Sequence, residues 1–241
     1  MNGVIHGVGL GPGDPDLMSV RADRLVRGSK HIAFFRKLGR KGRARAIVNG
    51  MLRADAIEFA MEYPVTTEIP LSDPRYNEVL SAFYEECKTH LCALSATGED
   101  VVVLCEGDPF FYGSFMHLFT RLQATCDVQV VPAITGMSAA WNASGVPITW
   151  GDDILSTVMG TLDEATLTDA MARADALVVM KIGRHLPKVR RALANAGKSD
   201  RAVLVEYASM EGQIVRPLSE VTSETLPYFS IILVHGQGRR P

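Results

Sequence analysis

The chain has 241 residues, of which 47% are apolar and 22% are charged, and its formal net charge is −2. This composition is typical of a soluble protein with one large or two small α/β domains, and the charge does not favour bulk binding to nucleic acid. The longest apolar runs, Val101–Cys105 and Ile231–Val234, have the length of a strand and are too short to span a bilayer. Because no apolar leader precedes the first glycine-rich stretch, we expect a cytoplasmic protein.

The cysteines and histidines show no pattern typical of a metal or redox site. The four cysteines include no C-x-x-C pair, so we expect all of them to be small, reduced side chains: Cys87, Cys92, Cys105 and Cys126. The six histidines are scattered and include no H-x-x-x-H pair. The sequence therefore predicts no metal site built by the protein.

The first half of the chain alternates strand and helix patterns, which predicts a mostly parallel sheet. Ser19 is a predicted helix N-cap, and Gly28 is a predicted C-terminal stop for the same helix. The predicted elements are strand Val4–Leu10, helix Ser19–Val26, strand His31–Phe35, helices Arg43–Met51 and Pro74–Ala93, strand Val101–Cys105, helix Phe115–Leu122, strand Val128–Val131 and helix Gly136–Ala143.

A segment rich in glycine and proline, Gly145–Asp153, predicts a linker between two domains, residues 1–146 and 154–241. Beyond it the same alternation resumes, so the fold class expected is two α/β domains. The elements predicted there are strands Ile154–Met159, Ala176–Ile182, Ala202–Tyr207 and Ser230–His235, and helices Glu164–Arg173 and Leu186–Ala196.

The glycine-rich stretch Gly7–Asp14 does not match either common phosphate loop. A dinucleotide-binding loop needs glycine at the first, third and sixth positions, and the sixth position from Gly7 is Pro12. A P-loop needs Gly-Lys-Ser/Thr, and no such tripeptide follows. The loop is therefore predicted to serve something other than a nucleotide phosphate.

Three loops follow predicted strands in the first half: Gly9–Pro15, Gly107–Gly113 and Pro132–Ser138. In open α/β sheets, ligands bind outside the carboxyl ends of the strands. All three loops are rich in residues that let a backbone approach a ligand closely. Each alone is explained by turn chemistry, but three on one rim predict a binding site.

These loops carry a resemblance to the tetrapyrrole methylases, which transfer methyl groups from S-adenosylmethionine (SAM) to corrin and sirohaem precursors. The matching stretches are GVGLGPGDP (Gly7–Pro15), VLCEGDPFFYG (Val103–Gly113), VPAITGMSAAWNASGVP (Val131–Pro147), VVMKIGR (Val178–Arg184) and VEYAS (Val205–Ser209). These stretches are spread over nearly the whole chain, and they follow one another in the same order as in the family. Three further stretches resemble the members that methylate C20 of precorrin-2: Phe34–Lys37, Gly42–Arg45 and Tyr63–Glu68.

The resemblance implies a fold of two α/β domains with SAM in a cleft between them, and homodimers. The positions that match the family's SAM contacts are Pro12, Gly107, Asp108, Phe111, Thr135, Gly136, Met180 and Ala208. Ala133 stands where many relatives have glycine, the smallest possible departure. The N–H groups that open the Gly136 helix suit the SAM carboxylate. From the residues alone, Asp108 is equally expected to cap the helix after Pro109, and Met180 to be a core side chain.

The substrate implied is an electron-rich tetrapyrrole with many carboxylates. The substrate-binding residues expected are Gly11, Asp14, Arg36 and Arg43. The two arginines belong to a basic run that is otherwise read as a solvated loop: Arg36, Lys37, Arg40, Lys41, Arg43 and Arg45.

The reaction implied is methylation of C20 of precorrin-2, from which one proton must then leave. Glu106, Asp108 and Tyr112 are candidates for its acceptor, and the sequence does not choose among them. Asp108 is expected to bind or tune rather than to act as an obligatory base.

The same residues are compatible with other functions. A cobalt-containing substrate or another ring position would use the same SAM motifs, and a SAM-binding module without catalysis would share them too. A nicotinamide-dependent oxidoreductase needs an acidic residue at the end of the second strand, which instead ends Phe34-Phe35-Arg36.

Overall fold

The computed structural model describes residues 2–65 and 73–239. The chain forms two compact units, of which the first ends at Thr135 and the second begins at Gly136. Each described unit has its own sheet and helices. The predicted fold class, two α/β domains, is confirmed.

The first unit is built on a parallel sheet. Its elements are β1 (Ile5–Gly9), α1 (Val20–Gly28), β2 (His31–Lys37), α2 (Arg43–Ile47), β3 (Ile57–Tyr63), α3 (Pro74–Ser95), β4 (Val101–Cys105), α4 (Phe115–Leu122) and β5 (Val128–Val131). The strand order among the described residues is β3-β2-β4-β1-β5, and every neighbouring pair is parallel. The predicted parallel sheet is therefore confirmed.

Local sequence explains where these elements begin and why the central strands are apolar. Ser19 caps α1 as predicted, because its side chain accepts a hydrogen bond from the Ala22 N–H. β4 is buried along its whole length, with apolar clusters on both faces of the sheet. A strand covered on both faces reads as a continuous apolar run, which is why Val101–Cys105 was recognisable.

Two elements of this unit differ from those predicted from the sequence. β3 was missed because its residues are mostly half-exposed and include charged side chains, as expected for an edge strand. α2 is shorter than predicted and ends at Ile47. Of the stretch Tyr63–Glu68, residues 66–68 lie outside the described residues.

The second unit has a mixed sheet. Its elements are α5 (Gly136–Ala143), β6 (Leu155–Met159), α6 (Glu164–Arg173), β7 (Ala176–Met180), α7 (Leu186–Asn195), β8 (Ala202–Glu206), β9 (Ile214–Pro217) and β10 (Ser230–Val234). The described strands lie in the order β6-β7-β10-β8-β9, and β10 runs antiparallel to both β7 and β8. The sequence analysis missed β9, a short strand with no buried residue.

The helix α5 belongs to the second unit, whereas the predicted boundary placed it in the first. Ala140 of α5 is fully buried in an apolar cluster with Val178, Val205 and Leu233. Burial of this face attaches α5 to the second sheet. Glycine and proline in Gly145–Asp153 mark the turn after α5, and the compact units divide before that helix.

The expectation that all cysteines are reduced is wrong for two of them. Cys92 in α3 and Cys126 before β5 form a disulfide, with their Cα atoms 6.3 Å apart. Cys87 and Cys105 are free and buried, as expected. The bridged pair is separated by 34 residues, so only the packing of α3 near the start of β5 brings the two thiols together.

Among residues 2–65 and 73–239, no helix is both long and apolar enough to cross a membrane.

Gly7 is required for packing of the first sheet, and this is testable. A Cβ atom at Gly7 would overlap the ring of Phe115, which is 1% exposed and has no room to move. We expect Gly7→Ala to lower the free energy of unfolding by about 1–3 kcal/mol, the usual cost of overpacking. Guanidinium denaturation of the purified protein measures this.

The matched control is Gly28→Ala at the end of α1. No atom lies within 4 Å of its Cβ position, so this change should leave stability unchanged or slightly raised. An unaltered denaturation midpoint for Gly7→Ala would contradict the packing role.

Candidate active site

The three predicted loops follow neighbouring strands and meet at the carboxyl edge of the first sheet. β4, β1 and β5 lie side by side, and their registers pair Gly9 with Cys105 and Val8 with Val131. The Gly107 N–H donates to the Gly11 carbonyl at 2.8 Å, which joins the first loop to the second. The rim predicted from the sequence is therefore assembled in the structure.

Two glycines of this rim have different physical roles. A Cβ at Gly9 would lie 2.6 Å from the Ala133 Cβ, so Gly9 is required for close packing of the loops. Gly107 has φ 61°, a left-handed conformation that favours glycine, and no atom lies within 4 Å of its Cβ position. The space beside Gly107 is open to a ligand.

Asp108 joins the second loop to the third. Its Oδ1 accepts a hydrogen bond from the Phe110 N–H at 2.9 Å, and its Oδ2 accepts one from the Ala133 N–H at 3.0 Å. Ser114, rather than Asp108, is the N-cap residue of α4. Both carboxylate oxygens are therefore engaged in holding the loops together.

The other predicted residues of the first unit lie on or beside this rim. Pro12 is buried, and Asp14 caps a short turn by accepting a hydrogen bond from the Asp16 N–H. The ring of Phe111 packs against Tyr112 with ring centroids 4.8 Å apart. Thr135 is the last residue of the unit.

The basic run lies beside a cavity at the end of β2. The cavity has a volume of about 330 Å³, and its lining includes Arg36, Lys41, Arg45 and Asn49. Arg36 Nε donates to Glu62 Oε1 at 2.8 Å. Arg45 forms two hydrogen bonds with Glu58, which hold the pKa of that carboxyl below its usual range. The positive charge of this run is therefore partly neutralised by carboxylates of β3.

Glu106 lies between β4 and Gly107. Its Oε1 atom is buried and has no hydrogen-bond partner among the described residues. Burial raises the pKa of the Glu106 carboxyl, and the positive charge of Arg43 opposes that rise. This carboxyl differs from Asp108, whose oxygens are both satisfied.

In the second unit, the predicted residues surround one apolar cluster. Met180 at the end of β7 and Ala208 after β8 are partly buried against it, together with Met137 of α5. Gly136 is the first residue of α5, and a Cβ there would lie 3.8 Å from Ile231 Cδ1. The structure thus brings Gly136, Met180 and Ala208 onto elements that share one core.

Residues with strained backbone lie next to the predicted SAM residues. The sequence did not reveal this strain. Among the described residues, the non-glycine positions with a left-handed backbone are Tyr112, Lys181, Tyr207 and Ser209. Each adjoins a predicted SAM residue, namely Phe111, Met180 or Ala208. Such conformations cost about 1–3 kcal/mol each and concentrate at functional sites. No sequence signal identifies them, because left-handed backbone is readable only where glycine or asparagine supplies it.

Ser209 has a second unfavourable feature besides its strained backbone. Its buried Oγ has no hydrogen-bond partner among the described residues, while its own N–H donates to Gln213 Oε1 at 2.8 Å. An unpartnered buried hydroxyl is unfavourable. Strain and an unsatisfied polar atom at one residue are typical of a ligand-binding position.

Metal ligands do not converge anywhere in the part of the chain that the structure describes: no group of three or more His, Cys, Asp or Glu side chains is placed to hold an ion.

The model of the tetrapyrrole (corrin/porphyrin) methylases matches residues 4–222. The chain belongs to this family. It is 45% identical to the precorrin-2 C(20)-methyltransferase of a Sinorhizobium species, over 99% of this chain and 98% of that protein. It is 30% identical to the cobalt-precorrin-2 C(20)-methyltransferase of Salmonella typhimurium, over 98% of each.

A solved structure agrees with the fold of this tetrapyrrole methylase. The uroporphyrin-III C-methyltransferase of Thermus thermophilus, complexed with S-adenyl homocysteine, superposes with a TM-score of 0.66 at 25% identity. The match covers 96% of this chain and 97% of that one. The resemblance on which the sequence analysis relied is therefore confirmed, whereas the individual ligand-binding residues remain predictions.

Ser209 of this tetrapyrrole methylase provides a test of the strain. Ser209→Gly removes both the left-handed strain and the unpartnered hydroxyl, so we expect the free energy of unfolding to rise by about 1 kcal/mol. Ser209→Ala removes only the hydroxyl and should give the smaller gain. Thermal and denaturant unfolding of both variants measure the two contributions, and equal or lower stability for Ser209→Gly would contradict the account.

Proposed function

We propose that this tetrapyrrole methylase transfers a methyl group from SAM to C20 of precorrin-2, giving precorrin-3A in cobalamin biosynthesis. The observation that carries the proposal is 45% identity, along essentially both full chains, to a precorrin-2 C(20)-methyltransferase. The relative named for cobalt-precorrin-2 is less similar, at 30%. The three loops at the carboxyl edge of the first sheet provide the binding groups that this reaction needs.

The residues present fit SAM. The open space beside Gly107 allows a ligand to approach its backbone, and the Asp108 hydrogen bonds hold the neighbouring loops in place for it. The N–H groups at the start of α5, from Gly136, suit a carboxylate. We assign the remaining contacts to Pro12, Phe111, Thr135, Met180 and Ala208. SAM, when bound, supplies the electrophilic methyl group.

The substrate carboxylates are assigned to the rim and the basic run. Arg36 lines the cavity at the end of β2, and its pair with Glu62 leaves it about one-third exposed, so guanidinium N–H groups remain accessible to an acetate or propionate. Arg43 opens α2 beside this cavity. Gly11 and Asp14 complete the proposed substrate-binding set, in which the Asp14 carboxylate accepts hydrogen bonds from the tetrapyrrole and does not contact its carboxylates.

The protein's main contribution to such a reaction is orientation. A tetrapyrrole carbon is itself nucleophilic, so no covalent nucleophile is required from the chain. Holding the methyl donor and the carbon in line contributes about 7–11 kcal/mol in favourable cases. Loops fixed by Asp108 and by the Gly11–Gly107 bridge supply the necessary rigidity.

Three further properties are part of the proposal. These are a homodimer, which the resemblance implies, a cytoplasmic location, and an enzyme without a metal of its own. Sedimentation of the purified protein tests the first of these.

A labelled incubation tests the function. With methyl-labelled SAM in a single turnover, we expect label at C20 of metal-free precorrin-2. Label on the cobalt-containing compound alone would overturn the substrate assignment and keep the reaction. SAM binding with no label on either compound would favour a binding module or another ring position.

Arg36 tests the substrate site separately. Losing one charge-assisted contact costs about 1.5–3 kcal/mol, so Arg36→Gln should raise KM for the tetrapyrrole roughly 10- to 100-fold. The Kd for SAM should not change. Arg27→Gln, which breaks an exposed ion pair with Asp23 on α1, is the matched control and should leave both values as they are. Equal kinetics for the two variants would remove Arg36 from the site.

A further inference from the structure

One buried carboxyl at the rim has no structural explanation. Glu106 directly follows the central strand β4 and precedes Gly107 and Asp108. Its Oε1 is shielded from solvent without any hydrogen-bond partner among the described residues. Leaving such an oxygen unpaired is costly, so it is retained where another role requires it.

The groups around Glu106 set it apart from the other candidates. Asp108 is occupied on both oxygens by backbone N–H groups. Arg43 is the charged group whose field acts on Glu106 from α2. Of the two carboxyls that flank Gly107, Glu106 has an oxygen that accepts no hydrogen bond from the described residues, whereas each Asp108 oxygen accepts one.

The proposed reaction requires a proton acceptor, and this inference rests on that proposed function. The new bond from C20 to the methyl carbon forms with a π electron pair of the tetrapyrrole, while the methyl–sulfur bond breaks and leaves its pair on sulfur. C20 then carries both a methyl group and its original hydrogen. Loss of that hydrogen as a proton returns the C–H electron pair to the conjugated system.

We propose that Glu106 is the catalytic residue that accepts the C20 proton on its carboxylate and then releases it to solvent. A base is most effective when its pKa is close to the working pH. Burial raises the pKa of Glu106 above that of an ordinary glutamate, and the positive charge of Arg43 opposes that rise. Asp108 then acts as a positioning residue that holds the loops.

The first test needs no substrate. Isotope-edited infrared or carbon NMR titration of the free protein should show one glutamate with a raised midpoint, and Glu106→Gln should remove that signal. Glu99→Gln deletes the same charge before the amino end of β4, and this control should retain the signal. A Glu106 carboxyl that titrates in the ordinary range would overturn the proposal.

The second test isolates proton removal. Glu106→Gln should bind SAM as wild type does and lose about 10²–10⁴-fold in turnover. With C20-deuterated precorrin-2, the variant should show a primary isotope effect, because proton loss becomes rate-limiting. The wild-type rate should fall as pH drops through the Glu106 midpoint, and the variant should lose that dependence.

Several outcomes would overturn the proposal. Wild-type turnover in Glu106→Gln, or loss of turnover without an isotope effect, would show that Glu106 does not accept the proton. If Glu106→Gln does not fold, Glu106→Asp decides: retained pH dependence at reduced rate supports the role, and wild-type turnover with an unshifted pH dependence contradicts it. If the wild type labels neither precorrin-2 nor its cobalt form, the proposed function itself has failed, whatever Glu106→Gln does.

Discussion

The candidate site depends on the hydrogen bonds that fasten three loops at one edge of a parallel sheet. Parallel register brings the ends of β4, β1 and β5 to the same level, but the loops beyond them have no strand partners. Asp108 and the Gly11–Gly107 bridge supply the missing contacts. A carboxylate that accepts two backbone N–H bonds orders flexible, glycine-rich loops without side-chain bulk, so ligand and backbone can approach closely.

Several unfavourable features lie at this site and at its counterparts in the second unit. Tyr112, Lys181, Tyr207 and Ser209 hold left-handed backbone in loops that follow strands, and Glu106 and Ser209 bury unpartnered oxygens. The apolar sheets beneath them stabilise each unit enough to maintain these costs. The stable cores therefore allow the loops that follow the strands to hold strained backbone.

The positive charge of the basic run is partly neutralised by neighbouring carboxylates. Glu58 and Glu62 on β3 pair with Arg45 and Arg36, which orients the guanidinium groups beside the cavity. Oriented arginines lose less conformational entropy when they bind a carboxylate than free ones do. The edge strand that the sequence analysis missed is thus what positions two residues of the basic run.

The sequence by itself determined those features of the fold that depend on a local pattern of residues. Continuous apolar runs identified the buried strands, Ser19 identified the start of α1, and the glycine-rich stretches identified the loops of the family. It did not identify β3 and β9, whose residues are largely exposed, or the Cys92–Cys126 bridge, which depends on packing. It also did not choose a proton acceptor among Glu106, Asp108 and Tyr112, and it could not tell which of the two carboxyls has an unpartnered oxygen. Only the tertiary structure distinguished them, because hydrogen-bond satisfaction and burial depend on neighbours that are distant in the chain.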